Sequence, residues 1–118
     1  MKHLFLPITA ISALAAQPVH ADELLGSALI EEISGQHFDC MMGETPLEWI
    51  VSDVTLDATS VPYSAIVRGK TVEAEYSISV EGRLTSDGYG DERLVEKNAD
   101  GSLSVARSDG RVMKCTAR

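Results

Sequence analysis

Cys40 and Cys115 are the only cysteines in the chain, and they bracket most of its strand-forming part. What such a pair does depends on the compartment. The same two residues stay thiols in a reducing cytoplasm and cross-link outside it. The N-terminus supplies the compartment. Met1-Lys2-His3 leads into an apolar run from Leu4 to Ala16, and the segment leaves through Val19-His20-Ala21. A basic start, a short hydrophobic stretch and a small residue at the exit mark a secretory signal peptide. The run carries Pro7 and falls short of the roughly 20 apolar residues a bilayer-spanning helix needs. No cysteine stands at the exit, so no lipid anchor is expected. Residues 1–21 therefore read as a signal peptide cleaved after Ala21, with no stable membrane anchor. Residues 22–118 read as a single periplasmic or secreted domain. In that setting Cys40 and Cys115 are expected to form a disulfide. It closes a loop worth about 4.5 kcal/mol by chain entropy.

Charge narrows the partners. Lys2 is the only Lys, Arg, Asp or Glu in residues 1–21, which leaves the remainder with nine basic and eighteen acidic residues. A net charge of −9 excludes nucleic acid, whose binding rests on neutralising phosphates with Lys and Arg. It also disfavours anionic membrane surfaces. It suits a solvated surface or a basic partner.

Hydrophobic patterning gives a mainly β fold with one N-terminal helix. Leu24, Leu25, Ala28, Leu29 and Ile33 recur at helical spacing, which predicts a helix over 22–34. Asp22 and Glu23 would sit at its positive end and Gly35 would stop it. From residue 36 to 118 the period becomes two. The strictest alternation runs from Thr71 to Glu81 and places Val72, Ala74, Tyr76, Ile78 and Val80 on one face, expected to be the core face. With Val61, Tyr63, Ala65 and Val67 ahead of Arg68-Gly69-Lys70, residues 61–81 read as a hairpin. Residues 47–58 read as a strand with a bulge at Ser52-Asp53. Further strands are expected at 36–42, once within 83–97, around Leu103 and Val105, and at 112–116. About seven short strands with regular turns predict a small antiparallel β-barrel, with a two-sheet sandwich as the alternative. The disulfide would join the first strand to the last and close the sheet on itself. A barrel this short is expected to fill its interior with side chains, and Trp49 and Tyr76 belong to that core. Glu48, Trp49 and Tyr89 are the candidates for a mouth.

Chemistry-bearing clusters are few. His37, Asp39 and Cys40 are neighbours in sequence, but on a strand Cys40 points away from the other two. Asp87, Asp91 and Glu92 put three carboxylates in a glycine-bearing loop, the donor type a Ca²⁺ ion takes, without EF-hand spacing. No other cofactor is expected.

Cys40, Cys115 and Ser60-Val61-Pro62-Tyr63 also carry a resemblance. In these features residues 36–118 resemble the periplasmic inhibitors of C-type lysozyme, which implies a small antiparallel barrel closed by a disulfide. In style the chain is similar to other small exported proteins of Gram-negative bacteria. The resemblance assigns no inhibitory residue. The functional expectation is an exported, non-enzymatic binding protein of the bacterial envelope. Its partner would be another exported protein, a basic one such as lysozyme. The alternative is a small hydrolase or metal-dependent enzyme using His37 or the 87–92 loop.

Overall fold

The computed structural model describes residues 22–86 and 91–118. The signal-peptide reading, with its cleavage after Ala21, lies outside the described residues. Among these residues nine strands and one helix follow in order: β1 Asp22–Glu23, α1 Gly26–Ile33, β2 His37–Met42, β3 Thr45–Val51 and β4 Ser60–Val67. They continue with β5 Lys70–Ile78, β6 Leu84–Ser86, β7 Glu92–Lys97, β8 Leu103–Ala106 and β9 Val112–Ala117. Strands β2 to β9 form an antiparallel meander, and β9 returns to pair with β2. The result is a closed eight-stranded barrel, the first of the two architectures expected.

Turn chemistry sets the meander. Val67 pairs with Lys70, so Arg68 and Gly69 form a two-residue hairpin loop. Both have positive φ, 52° and 79°, the geometry that matches the right-handed twist of the flanking strands. The turns at 98–101 and 108–110 hand β7 to β8 and β8 to β9.

The closing seam carries the disulfide. Cys40 and Cys115 stand opposite each other in the β2–β9 register, with Cα atoms 4.1 Å apart. Both are buried, and they join a core with Phe38, Trp49, Val51, Val61, Leu84, Val95 and Leu103.

The helix is shorter than the expected 22–34, and Asp22 and Glu23 do not cap it. They form β1, pairing with Lys97 and Glu96 of β7. The reason lies in β6, which has three residues and pairs with β7 only at Arg93 and Glu92. Beyond that point the edge of β7 would have unpaired backbone groups, and buried backbone groups need partners. Chain entering from residue 22 supplies them. The Arg83 guanidinium then donates to Glu23 at 2.6 Å and to Glu92 at 3.1 Å, tying β1 to β7.

Helix α1 lies over one end of the barrel. Leu29 and Ile33 are fully buried in the common core. Gly26 N–H donates to Gly82 C=O, Gly35 N–H to Ser52 C=O, and Lys97 pairs with Glu32. Gly82 has φ +96°, and a Cβ there would lie 2.6 Å from the Gly26 nitrogen. The turn before β6 thus needs glycine to let the helix start approach.

Three further sequence expectations are corrected. The strand expected over 47–58 ends at Val51, with no bulge. Ser52 still donates to Pro62 C=O as the last rung of the ladder, and beyond it the Ser34 hydroxyl holds both N–H and C=O of Val54 away from β4. The segment 83–97 holds two strands rather than one. The core face read over 71–81 is only half a core. Tyr76 is 4% exposed, but Val72 is 54% exposed and Val80 fully so. Val80 sits in the turn after β5. Val72 and Ala74 share Tyr76's parity, but β6 pairs only with Tyr76, Ser77 and Ile78. The β4–β5 hairpin therefore runs on past the wall that would cover them.

Leu84→Ala should lower unfolding free energy by about 2–5 kcal/mol, and Val80→Ala should change it by less than about 0.5 kcal/mol. Denaturant unfolding measures both. Similar losses would mean that Val80 is a core residue after all.

Candidate functional site

The two barrel ends differ. At the helix end, α1 completes the core. At the opposite end, where β2, β4, β6 and β8 finish, a cavity of about 160 Å³ remains. Its wall is Met42, Leu47, Trp49, Tyr63, Ala65, Val67, Tyr76, Val105 and Met113, with Arg93 and Arg107 at the rim. The parity of each strand selects these residues. Leu47 and Trp49 alternate along β3, Tyr63, Ala65 and Val67 along β4, and Arg93 shares its face with Val95.

An aromatic stack forms the floor. Tyr63 lies parallel to Tyr76 with ring centroids 4.1 Å apart, and Trp49 meets Tyr76 edge-on at 6.3 Å. Phe38 stacks behind Trp49 at 5.2 Å. Such contacts add to area burial and fix ring orientation. Burial pushes the Tyr76 phenol above its ordinary range, with the Tyr63 hydroxyl adding to the effect and Arg93 opposing it.

The rim carries positive charge in an acidic protein. Arg93 is 7% exposed. Its guanidinium donates to Ser86 Oγ at 2.7 Å and Asp91 C=O at 3.3 Å, both neutral acceptors. Among the described residues, no carboxylate lies within ion-pairing distance of Arg93 or Arg107. Arg107 Nε is buried and donates to no described group; Trp49 Nε1 is buried beside the Tyr76 hydroxyl without a well-formed hydrogen bond. Buried polar groups are almost always paired, so the unpaired Arg107 Nε beside this cavity calls for an explanation. Outside the cavity, a wider depression shares Tyr63, Arg93 and Arg107 and adds Glu75, Ser86 and Asp91.

The residues singled out from sequence lie elsewhere. His37 and Asp39 share the outer face of β2, and Cys40 points inward into its disulfide. His37 Nε2 hydrogen-bonds Glu48 at 2.8 Å, and Arg118 pairs with Asp39 and Glu48. Glu48 is thereby on the outer wall, not at the mouth. Asp91 accepts from the Ser108 hydroxyl, and Glu92 pairs with Arg83. Asp87 and Tyr89 lie outside the described residues. Among the described residues no group of three His, Cys, Asp or Glu side chains is placed to hold a metal ion. Arg93 and Arg107 were not legible as a site. Their signal was an arginine at inward parity beside Val95, which has meaning only once the register is known.

Because the native state keeps Tyr76 protonated where an unfolded tyrosine ionises near 10, stability should be unaffected below that pH and fall as pH rises past it. Ultraviolet titration should show one late-ionising phenol that disappears in Tyr76→Phe. Ionisation of every tyrosine in the ordinary range, with the fold intact, would contradict the burial described.

Among the described residues, no helix is long and apolar enough to cross a membrane. No protein-family model, no curated protein and no solved structure matches the chain.

Proposed function

We propose that this is an exported, non-enzymatic binding protein that takes a small ligand into the open end of its barrel. The observation that carries this reading is the asymmetry of the two ends, one plugged by α1 and the other leaving an aromatic-lined cavity of about 160 Å³. An eight-stranded barrel has an interior just wide enough for side chains or for one small ligand, and concave apolar sites with few polar groups are where small molecules bind. The buried disulfide supports an oxidising, exported setting. His37, the one histidine in residues 22–118, is paired with Glu48 on the outer wall, away from the cavity. That arrangement favours binding over catalysis.

Trp49 is the only tryptophan and lines the cavity, so its fluorescence reports occupancy. Benzyl alcohol, a neutral ring-sized probe, should perturb that fluorescence saturably. Ala65→Phe, which fills the cavity, should abolish the response while preserving the native circular dichroism. An unchanged response in Ala65→Phe, or no saturable response of the parent protein either to benzyl alcohol or to a ring of the same size bearing charge, would overturn the reading.

A second reading is favoured by the outer wall of β2–β5. Asp39, Glu48, Glu73 and Glu75 lie there with the half-exposed Met41. This face suits a basic exported protein such as a C-type lysozyme, held by complementary charge. Binding to lysozyme should then weaken as salt rises; no binding at low salt would remove it.

A further inference from the structure

The unpaired groups around the cavity share one chemical sense, because all of them donate. Arg107 Nε is buried without an acceptor among the described residues, whereas Trp49 Nε1 has the Tyr76 hydroxyl beside it. Arg93, nine-tenths buried, spends two of its N–H groups on neutral oxygens. A guanidinium removed from water is costly unless an anion compensates it. Described acidic groups near it are otherwise engaged or lie outside. Asp91 takes the Ser108 hydroxyl, Asp109 is held down to about 2 chiefly by its hydrogen bonds to Arg111 with a smaller pull from Arg107, and Glu75 is exposed on the rim of the outer depression. Two cations therefore face a space bounded elsewhere by aromatic rings and aliphatic side chains.

Building on the ligand-binding reading of the same cavity, we infer that its ligand is a small monocarboxylate with a compact apolar body. The carboxylate lies against Arg93 and Arg107, where a planar guanidinium offers paired donors matched to two oxygens. The body enters among Trp49, Tyr63 and Tyr76. Size sets the limit. An apolar protein cavity of about 150 Å³ takes up benzene, and this one holds about 160 Å³. One ring, or an acyl chain of similar volume, fits; a long-chain fatty acid does not. Charge sets the specificity. A cationic ligand of the same shape meets two arginines and leaves every donor unpaired.

The test is calorimetric titration, with Trp49 fluorescence in parallel, of benzoate, hexanoate, benzyl alcohol and benzylamine against the folded protein. Benzoate or hexanoate should bind at least tenfold more tightly than benzyl alcohol, and benzylamine should not bind. Arg107→Gln and Arg93→Gln should each weaken carboxylate binding at least tenfold and erase the preference for benzoate over benzyl alcohol. The comparison between probes needs no variant, so it stands even where Arg93→Gln fails to fold. Equal affinity for benzoate and benzyl alcohol would overturn the anion inference and leave the cavity reading intact. No response to any of the four probes would overturn both.

Discussion

The pairing of β9 with β2 is the constraint on which the rest of this structure depends. A meander of eight strands has two free edges until its first and last strands meet, and free edges are templates for association. Here they meet along five paired positions, Phe38 to Met42 against Met113 to Ala117. The disulfide sits at the middle of that seam, between directly opposed residues. Its chain-entropy contribution of about 4.5 kcal/mol compares with a net stability of about 5–15 kcal/mol for an ordinary domain. The bond is therefore the element least replaceable by packing in a domain whose core is this small.

Closure at the seam makes the two barrel ends unequal. The short β6 leaves part of β7 unpaired, β1 fills that lane, and the chain is thereby led to place α1 over the nearer end. At the far end the cavity remains. The same short β6 lets the β4–β5 hairpin run past the wall, which puts Tyr63 and Ala65 beside the opening. One three-residue strand thus explains the plug, the overhanging hairpin and the mouth.

How much of this was legible in the sequence depended on whether a feature was local. The mainly β character, the Arg68-Gly69 turn, the inward Trp49 and Tyr76, and the barrel itself followed from period-two patterning and turn residues. The disulfide followed from compartment and number. Features that depend on a neighbour in space did not follow. Asp22 and Glu23 look like a helix start by composition, and only the vacant edge of β7 makes them a strand. Val72 and Ala74 have core parity, but parity says which way a side chain points and not whether a wall stands opposite. Arg93 looks like one more surface charge until the register sets it beside Val95 and opposite Leu84. The mouth is not legible in the sequence for that reason, whereas His37 and the carboxylates of 87–92 stand out by residue type alone.

The seam is most directly tested by amide hydrogen exchange of the oxidised protein and of the double variant Cys40→Ala/Cys115→Ala. Exchange separates local opening from global unfolding. In the oxidised protein the hydrogen-bonded amides of β2 and β9 should be as protected as those of β3 and β4. In the variant the β2–β9 amides should exchange well ahead of the β3–β4 amides, because the barrel opens first at its unstapled seam. Equal protection of both strand pairs in the variant would contradict the account, since closure would then not depend on the bond that joins its ends.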